Sequence, residues 1–494
     1  MLRRSKREAC GGAAAGAFGI EERRNGKFGG ACLKKHCSPI IPCDFHQSGF
    51  SAYAVLPMIH GKRKNNPETC TMPFSLNDHL RAHPWIAVAL AVTGITIGST
   101  GLLFAVAHSG FLLEDKEIWF VFDEGKEGGA GLPGNDLLQG FTEAERQTHD
   151  FFGLRHIKLL PKDDGGSIPK AAEYAKQAVA PGSNVIAVVG HLESTVMAGV
   201  IDTYLSQPFP VLMPVPTNPS LTQRTERYQN IFRLPPTDDK QAARATEFII
   251  AHKRHRIITV IDQDNAIYSD SLVRMFSSDL AKKSANQRVD AEVVRHVAIS
   301  HGIFNVRIDD ALRESGADAV FFPGSPDNAL VLIDAVMSLQ SSGSKRPVTL
   351  PLLLMTDGVV TADFISRLRE VPPDLYFTFQ LPRMPDGTVG DHGIYCALVQ
   401  FSNCPYGVDA VLVMRKIIQD VTTDIQEDPY LAYRTNISAM DVLGYLRKLR
   451  GAFDILPGAF GAYRFNPKGD NTVFGFTVLK PDQSHNTYAI ADGG

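Results

Sequence analysis

Short, wholly apolar runs that each stop at a polar loop constrain this chain more than any other feature. Val185 to Val189 reads VIAVV between Asn184 and Gly190, the signature of a strand covered on both faces in a parallel sheet. Phe209 to Met213 repeats it. Further strand candidates lie at Ile118 to Phe122, His156 to Leu160, Ile257 to Ile261, Ala317 to Phe322, Leu350 to Met355 and Leu375 to Phe379. Helix-length segments separate them, among them Leu138 to Phe152, Ile168 to Ala180, Val196 to Leu205 and Gln241 to Ala251. Such alternation predicts an α/β fold of doubly wound parallel sheets with helices on both faces. At 494 residues the chain exceeds what one core organises, so two or three units are expected. Hydrophobic residues at 44% and charged ones at 21% exclude a disordered or fibrous body.

The strand ends point to a ligand. After the first run, Gly190 lets the backbone turn, and Glu193, Ser194 and Thr195 open a helix, so Ser194 lies among unpaired backbone N–H groups. The second run ends in Pro214, Pro216, Thr217, Asn218 and Pro219, a rigid turn that aims the Thr217 hydroxyl and N–H away from the strand. Both ends face one crevice, where open α/β sheets place their ligands.

Gly190-His191-Leu192-x-Ser194, Thr217-Asn218-Pro219-x-Leu221-Thr222-Gln223, Phe232-Arg233 and Asp239-x-Gln241 together carry a resemblance. The chain resembles the branched-chain amino-acid (Leu/Ile/Val) binding proteins of bacterial ABC uptake systems, which are type I periplasmic binding proteins. The similarity runs from about Ile118 to about Leu479 and is dense between Val185 and Leu272. It implies two lobes around a cleft, with three crossings between them: lobe one from about 115–236 and 380–455, lobe two from about 237–379 and 456–494. It also implies site roles. Ser194 and Thr217 match positions that hold the ligand α-carboxylate, Tyr268 matches a tyrosine that closes over the ligand, and Asp357 falls where a glutamate usually meets the ligand ammonium. Val215 and Pro216 before the turn, Ser269, and Phe321-Phe322 depart from the family pattern.

The implied function is capture of a small amino acid or amide-like solute for an ABC permease, by hinge closure and without a cofactor. A ligand-sensing or regulatory module of the same fold is the alternative. An enzyme is not expected. His191 lacks a serine or cysteine nucleophile with a second partner beside it. His296 and His301, five apart in a strand-like run, would face opposite ways, and no metal site is expected. The cluster from His252 to Arg256 follows a helix and reads as a solvated C-terminal end, so no nucleic acid is expected.

The N-terminal part differs. Residues 1–71 hold 12 Lys plus Arg against 5 Asp plus Glu, while the whole chain carries −3, so the remainder is acidic. Trp85 to Ala107 is an uncharged stretch long enough to span a bilayer. Basic residues precede it and Glu114, Asp115 and Glu117 follow, so residues 1–84 are expected in the cytoplasm, 85–107 as a single-pass signal-anchor in the inner membrane, and 115–494 outside. Ala105-Val106-Ala107 also has the form of a cleavage site. Cys10, Cys32, Cys37, Cys43 and Cys70 do not reproduce common zinc spacings. Cys396 and Cys404 lie where oxidising conditions allow a disulfide closing a short loop. Asn436-Ile437-Ser438 matches a glycosylation acceptor.

Overall fold

Along β1 (Lys116–Phe122), Ile118, Phe120 and Phe122 enter one core while Trp119 and Val121 enter another. A strand apolar on both faces must lie inside a sheet covered on both sides. β1 pairs in parallel with β2 (Ile157–Asp163) and β3 (Val185–Gly190), and β4 (Val211–Met213) and β5 (Ile231–Arg233) extend the sheet in the order β2-β1-β3-β4-β5. On one face lie α1 (Pro133–Gly153) and two helices from much later in the chain. The other carries α2 (Ile168–Ala178) and α3 (Ser194–Leu205). The computed structural model describes residues 115–123, 133–223, 228–341, 349–382, 396, 402–427, 436–452, 455–473 and 475–491. The expected anchor at Trp85 to Ala107 and the five N-terminal cysteines lie outside these residues. Among the described residues no helix is long and apolar enough to cross a membrane.

The second sheet starts after α4 (Asp238–Ala251). β6 (Arg256–Asp262) leads through α5 (Ala266–Gln287) to β7 (Glu292–Ser300) and the short β8 (Ile303–Phe304). Next come α6 (Ile308–Ser315), β9 (Ala319–Phe322), α7 (Pro326–Ser341), β10 (Leu352–Met355) and β11 (Leu375–Gln380). The five strands β7-β6-β9-β10-β11 are parallel and repeat the order of the first sheet, second-first-third-fourth-fifth. No internal repeat is visible in the sequence, because the two halves share topology and not residues.

The chain then returns to lobe one as α8 (Cys404–Glu427) and α9 (Ala439–Lys448), whose apolar stripes fill its first core. Cys396 and Cys404 form a disulfide with Cα atoms 6.1 Å apart, at the start of α8. Ser438, the hydroxyl residue of the glycosylation match, caps α9 in a reciprocal box with Asp441. β12 (Phe476–Asp482) finally joins lobe two antiparallel to β11, and β13 (Thr487–Ile490) pairs antiparallel with β12.

The last return is later than expected. Leu456, Phe460, Tyr463 and Phe465 pack in the lobe-one core, so the segment taken to open lobe two at 456 belongs to lobe one. The reason is electrostatic: fully buried Asp409 on α8 accepts from the N–H groups of Ala459, Phe460 and Gly461 at 2.6, 3.0 and 2.9 Å, and from Tyr463 Oη at 2.6 Å. Burial pushes this carboxyl up to about 6 against those bonds, so removing the donors would strand a buried acid.

Candidate functional site

Each sheet has a point where strand order reverses, between β1 and β3 in lobe one and between β6 and β9 in lobe two. Ligands bind at such switch points, beyond the carboxyl ends of the strands. The loops after these strands border one cleft of about 790 Å³ with an open mouth. Asp123 follows β1, and Leu192, Glu193 and Ser194 follow β3; Val215 to Thr217 follow β4. From lobe two come Asn265 and Tyr268 after β6, Gly324 to Asp327 after β9, and Asp357 with Gly358 after β10. Ser194, Thr217, Tyr268 and Asp357, the four residues singled out in the sequence, all line this cleft, two from each lobe.

The entry to the lobe-one wall depends on Gly190. A Cβ there would meet the Val121 carbonyl at 2.4 Å, and its φ is +154°, so only glycine lets β3 pass β1 this closely. His191 beyond it is wholly buried, with Nδ1 2.6 Å from Asp164 Oδ2 and Nε2 3.1 Å from Tyr204 Oη. It packs behind the cleft and does not face it. Ser194 opens α3, and its Oγ accepts from the Asn218 N–H at 3.4 Å, joining the two loops.

The turn carrying Thr217 is clamped from behind. Arg233, fully buried, donates to the carbonyls of Pro216 and Asn218 at 3.0 and 2.8 Å and to Asp470 Oδ1 at 3.0 Å. The family motif contains this arginine, but its role could not be read without knowing that residue 470 returns beside it. The Thr217 carbonyl accepts from the N–H of Asp238, the first residue of α4. That carboxyl is fully buried, and neither oxygen has a well-formed hydrogen bond. Burial, then the charge of Asp357, pushes it up to about 8, while the nearby Thr217 hydroxyl and Arg233 pull the other way.

On the lobe-two wall, Asp357 Oδ1 accepts from Tyr268 Oη at 2.7 Å and from Gln241 Nε2 at 2.6 Å. Tyr268 Oη is also 2.7 Å from Thr356 Oγ1. Burial raises the Asp357 carboxyl, and the bonds from Tyr268 and Gln241 oppose it. Gly358 keeps the wall thin, since a Cβ would lie 2.6 Å from the Gly324 carbonyl. The walls touch at the rim: Thr195 Oγ1 donates to Asn265 Oδ1 at 2.6 Å, and Asn218 Nδ2 to the Ile267 carbonyl at 3.1 Å. The cleft thus sets the Ser194 and Thr217 hydroxyls on one wall, with Asp123 and Glu193 on the same lobe, against the hydrogen-bonded Asp357 carboxyl on the other.

Sequence reasoning missed Asp123, Glu193, Asn265, Ser325 and Asn403 as lining residues. The first four follow strand ends and were open to the same logic that found Thr217. Asn403 had no such signal, because it enters from the late return into lobe one. The basic cluster sits at the other end of the second sheet: His252 ends α4, Arg254 pairs with Asp374 at 2.8 Å, and the N–H groups of His255 and Arg256 donate to Asp318. Among the described residues no group of three or more His, Cys, Asp and Glu could hold a metal ion.

Residues 147–362 match the periplasmic binding protein family. The chain is 32% identical over 189 residues to the leucine-specific-binding protein of Salmonella typhimurium, covering 38% of this chain and 49% of that protein. It is 26% identical over 194 residues to an amino acid binding protein of Pseudomonas aeruginosa, covering 39% of this chain and 49% of that one. These matches thus span about half the length of the relatives. The fold extends further. The leucine binding protein LivK of Thermotoga maritima superposes with a TM-score of 0.58 at 17% identity, over 76% of this chain and 98% of that one. Residues 147–362 are thus similar to periplasmic binding proteins, the chain has the type I α/β fold, and the resemblance to Leu/Ile/Val-binding proteins read in its motifs holds.

Proposed function

We propose that this protein is an extracytoplasmic solute-binding protein that captures a small amino acid by hinge closure and presents it to an ABC-type permease. The observation that supports this most is the convergence of two switch points on one cleft, with Ser194 and Thr217 on one lobe facing Tyr268 and Asp357 on the other. In this reading Ser194 and Thr217 hold the α-carboxylate through hydroxyls and backbone N–H groups, which suit a desolvated anion without a competing lysine. Asp357 receives the ammonium, aligned by Tyr268 and Gln241. A ligand that touches both lobes favours the closed state by its preference for that state over the open one.

The membrane anchor is part of the same proposal. Trp85 to Ala107 is uncharged and flanked by basic and then acidic residues, the pattern of an N-in anchor that leaves the lobes outside. The Cys396–Cys404 disulfide agrees with an oxidising compartment. Calorimetric titration of the full chain in detergent micelles with a panel of amino acids and amides tests the binding. One-to-one saturation by an amino acid is expected; absence of heat across the panel counts against it. Carbonate washing tests the anchor: the chain stays with the membrane, whereas a mature N-terminus at His108 contradicts it.

A further inference from the structure

The cleft is strongly one-signed. Asp123, Glu193, Asp327 and Asp357 line it, and among the described residues no lysine, arginine or histidine does. Asp327 pairs with Arg367, and Asp357 accepts from Tyr268 and Gln241. Glu193 is different. It stands just before α3 as the N-cap; its carbonyl accepts from the Met197 N–H, and its side chain does not cap the helix. Carboxylates of both lobes surround it, Asp123 and Asp164 from the first, Asp262 and Asp264 from the second. The histidines beside these acids are already engaged, His191 with Asp164 at 2.6 Å and His301 with Asp264 at 3.0 Å. A second observation comes from another part of the chain. Asn403 is 3% exposed, lines the cleft, and its Oδ1 has no partner. It precedes α8, whose Tyr406 and Gly407 N–H groups donate to the Asn403 carbonyl, and its amide oxygen is left unused. An acceptor buried without a donor costs free energy that a ligand donor recovers.

We infer that Asp123, Glu193 and Asn403 form a subsite on lobe one for a second cationic group, so that the solute is an α-amino acid with a cationic side chain. This rests on the proposed carboxylate and ammonium sites, which account for the other end of the ligand. Leu192, Val215 and Pro216 supply the apolar lining that the methylenes of such a side chain would cover. Coulomb's law favours the same ligand: a zwitterion without net charge gains little from the surplus of carboxylates, and a molecule of net charge +1 offsets it. Burial and the neighbouring acids hold the Glu193 carboxyl up at about 7. A cation arriving beside it draws that value down and expels a proton.

Lysine and norleucine differ only in the ε-ammonium, and they make the test. Calorimetric titration of the full chain at pH 7 should give lysine at least about tenfold tighter binding than norleucine. Repeated in buffers of different ionisation enthalpy, lysine should release roughly half a proton more than norleucine. Glu193→Gln should lower the lysine-to-norleucine ratio by about tenfold and abolish the difference in proton release. Asn403→Ala provides a second variant, expected to lower the same ratio. Norleucine binding as well as or better than lysine in the wild type overturns the inference and leaves the amino-acid reading standing. Failure of both to bind overturns the two together.

Discussion

Asp238 is a carboxylate beside the cleft whose chemistry departs far from its usual range. Its carboxyl is held up at about 8 by burial and by Asp357. A raised value means the folded state binds the proton more tightly than the unfolded chain does. The stability this contributes is complete below the ordinary value of 3.8 and is lost as pH climbs towards 8. Asp238→Asn, neutral and of the same shape, should therefore melt above the wild type at pH 8, with the gap closing towards pH 4; parallel melting curves across that range contradict it. Such a residue could not have been found in the sequence, where Thr237-Asp238-Asp239 reads as an ordinary acidic helix start. Ser194 and Thr217 were legible from their position past apolar runs, and Tyr268 and Asp357 from the family resemblance. What hid the role of Gln241 was that its partners, Asp357 and Thr378, lie more than 100 residues away in the chain.

At the scale of elements, the turn from Pro214 to Pro219 is rigid only in part because of its prolines. Arg233 at the end of β5 ties it to Asp470, the residue that lies beside β5 just before the chain leaves lobe one for the last time. Breaking a buried pair by deleting one partner costs roughly 3–5 kcal/mol. Arg233→Met should destabilise the protein by that amount in urea denaturation, and it should also weaken ligand binding, since Thr217 loses its support. A variant of wild-type stability would show that the prolines suffice. The strands themselves were largely legible, since Val185, Ile257 and Leu375 open apolar runs where β3, β6 and β11 lie. The three-residue β5 was not, because Ile231 to Arg233 ends in a charge that only a buried partner explains. The late return at 456–473 was misplaced for a related reason: Asp409 holds it in lobe one, and a lone aspartate in a helix gives no such warning.

For the whole molecule, the two lobes meet through polar contacts that include Thr195 with Asn265, Asn218 with Ile267, and the Ala362 N–H donating to Asp136 Oδ2 at 3.0 Å. In the proposed function a ligand that touches both lobes decides between open and closed arrangements. Fluorescent labels at exposed Leu154 on lobe one and Ile303 on lobe two should show a narrower, shorter distance distribution when an amino acid saturates the full chain. An unchanged distribution with bound ligand would mean a rigid pocket. The most direct test of the account is calorimetric titration of Thr217→Ala and, separately, Asp357→Asn, with whichever amino acid the wild type binds most tightly. Each loses a charge-assisted hydrogen bond worth roughly 1.5–3 kcal/mol, so each should bind about tenfold or more weakly, although the two residues lie on opposite lobes. Wild-type affinity in either variant would show that the ligand does not bridge the cleft.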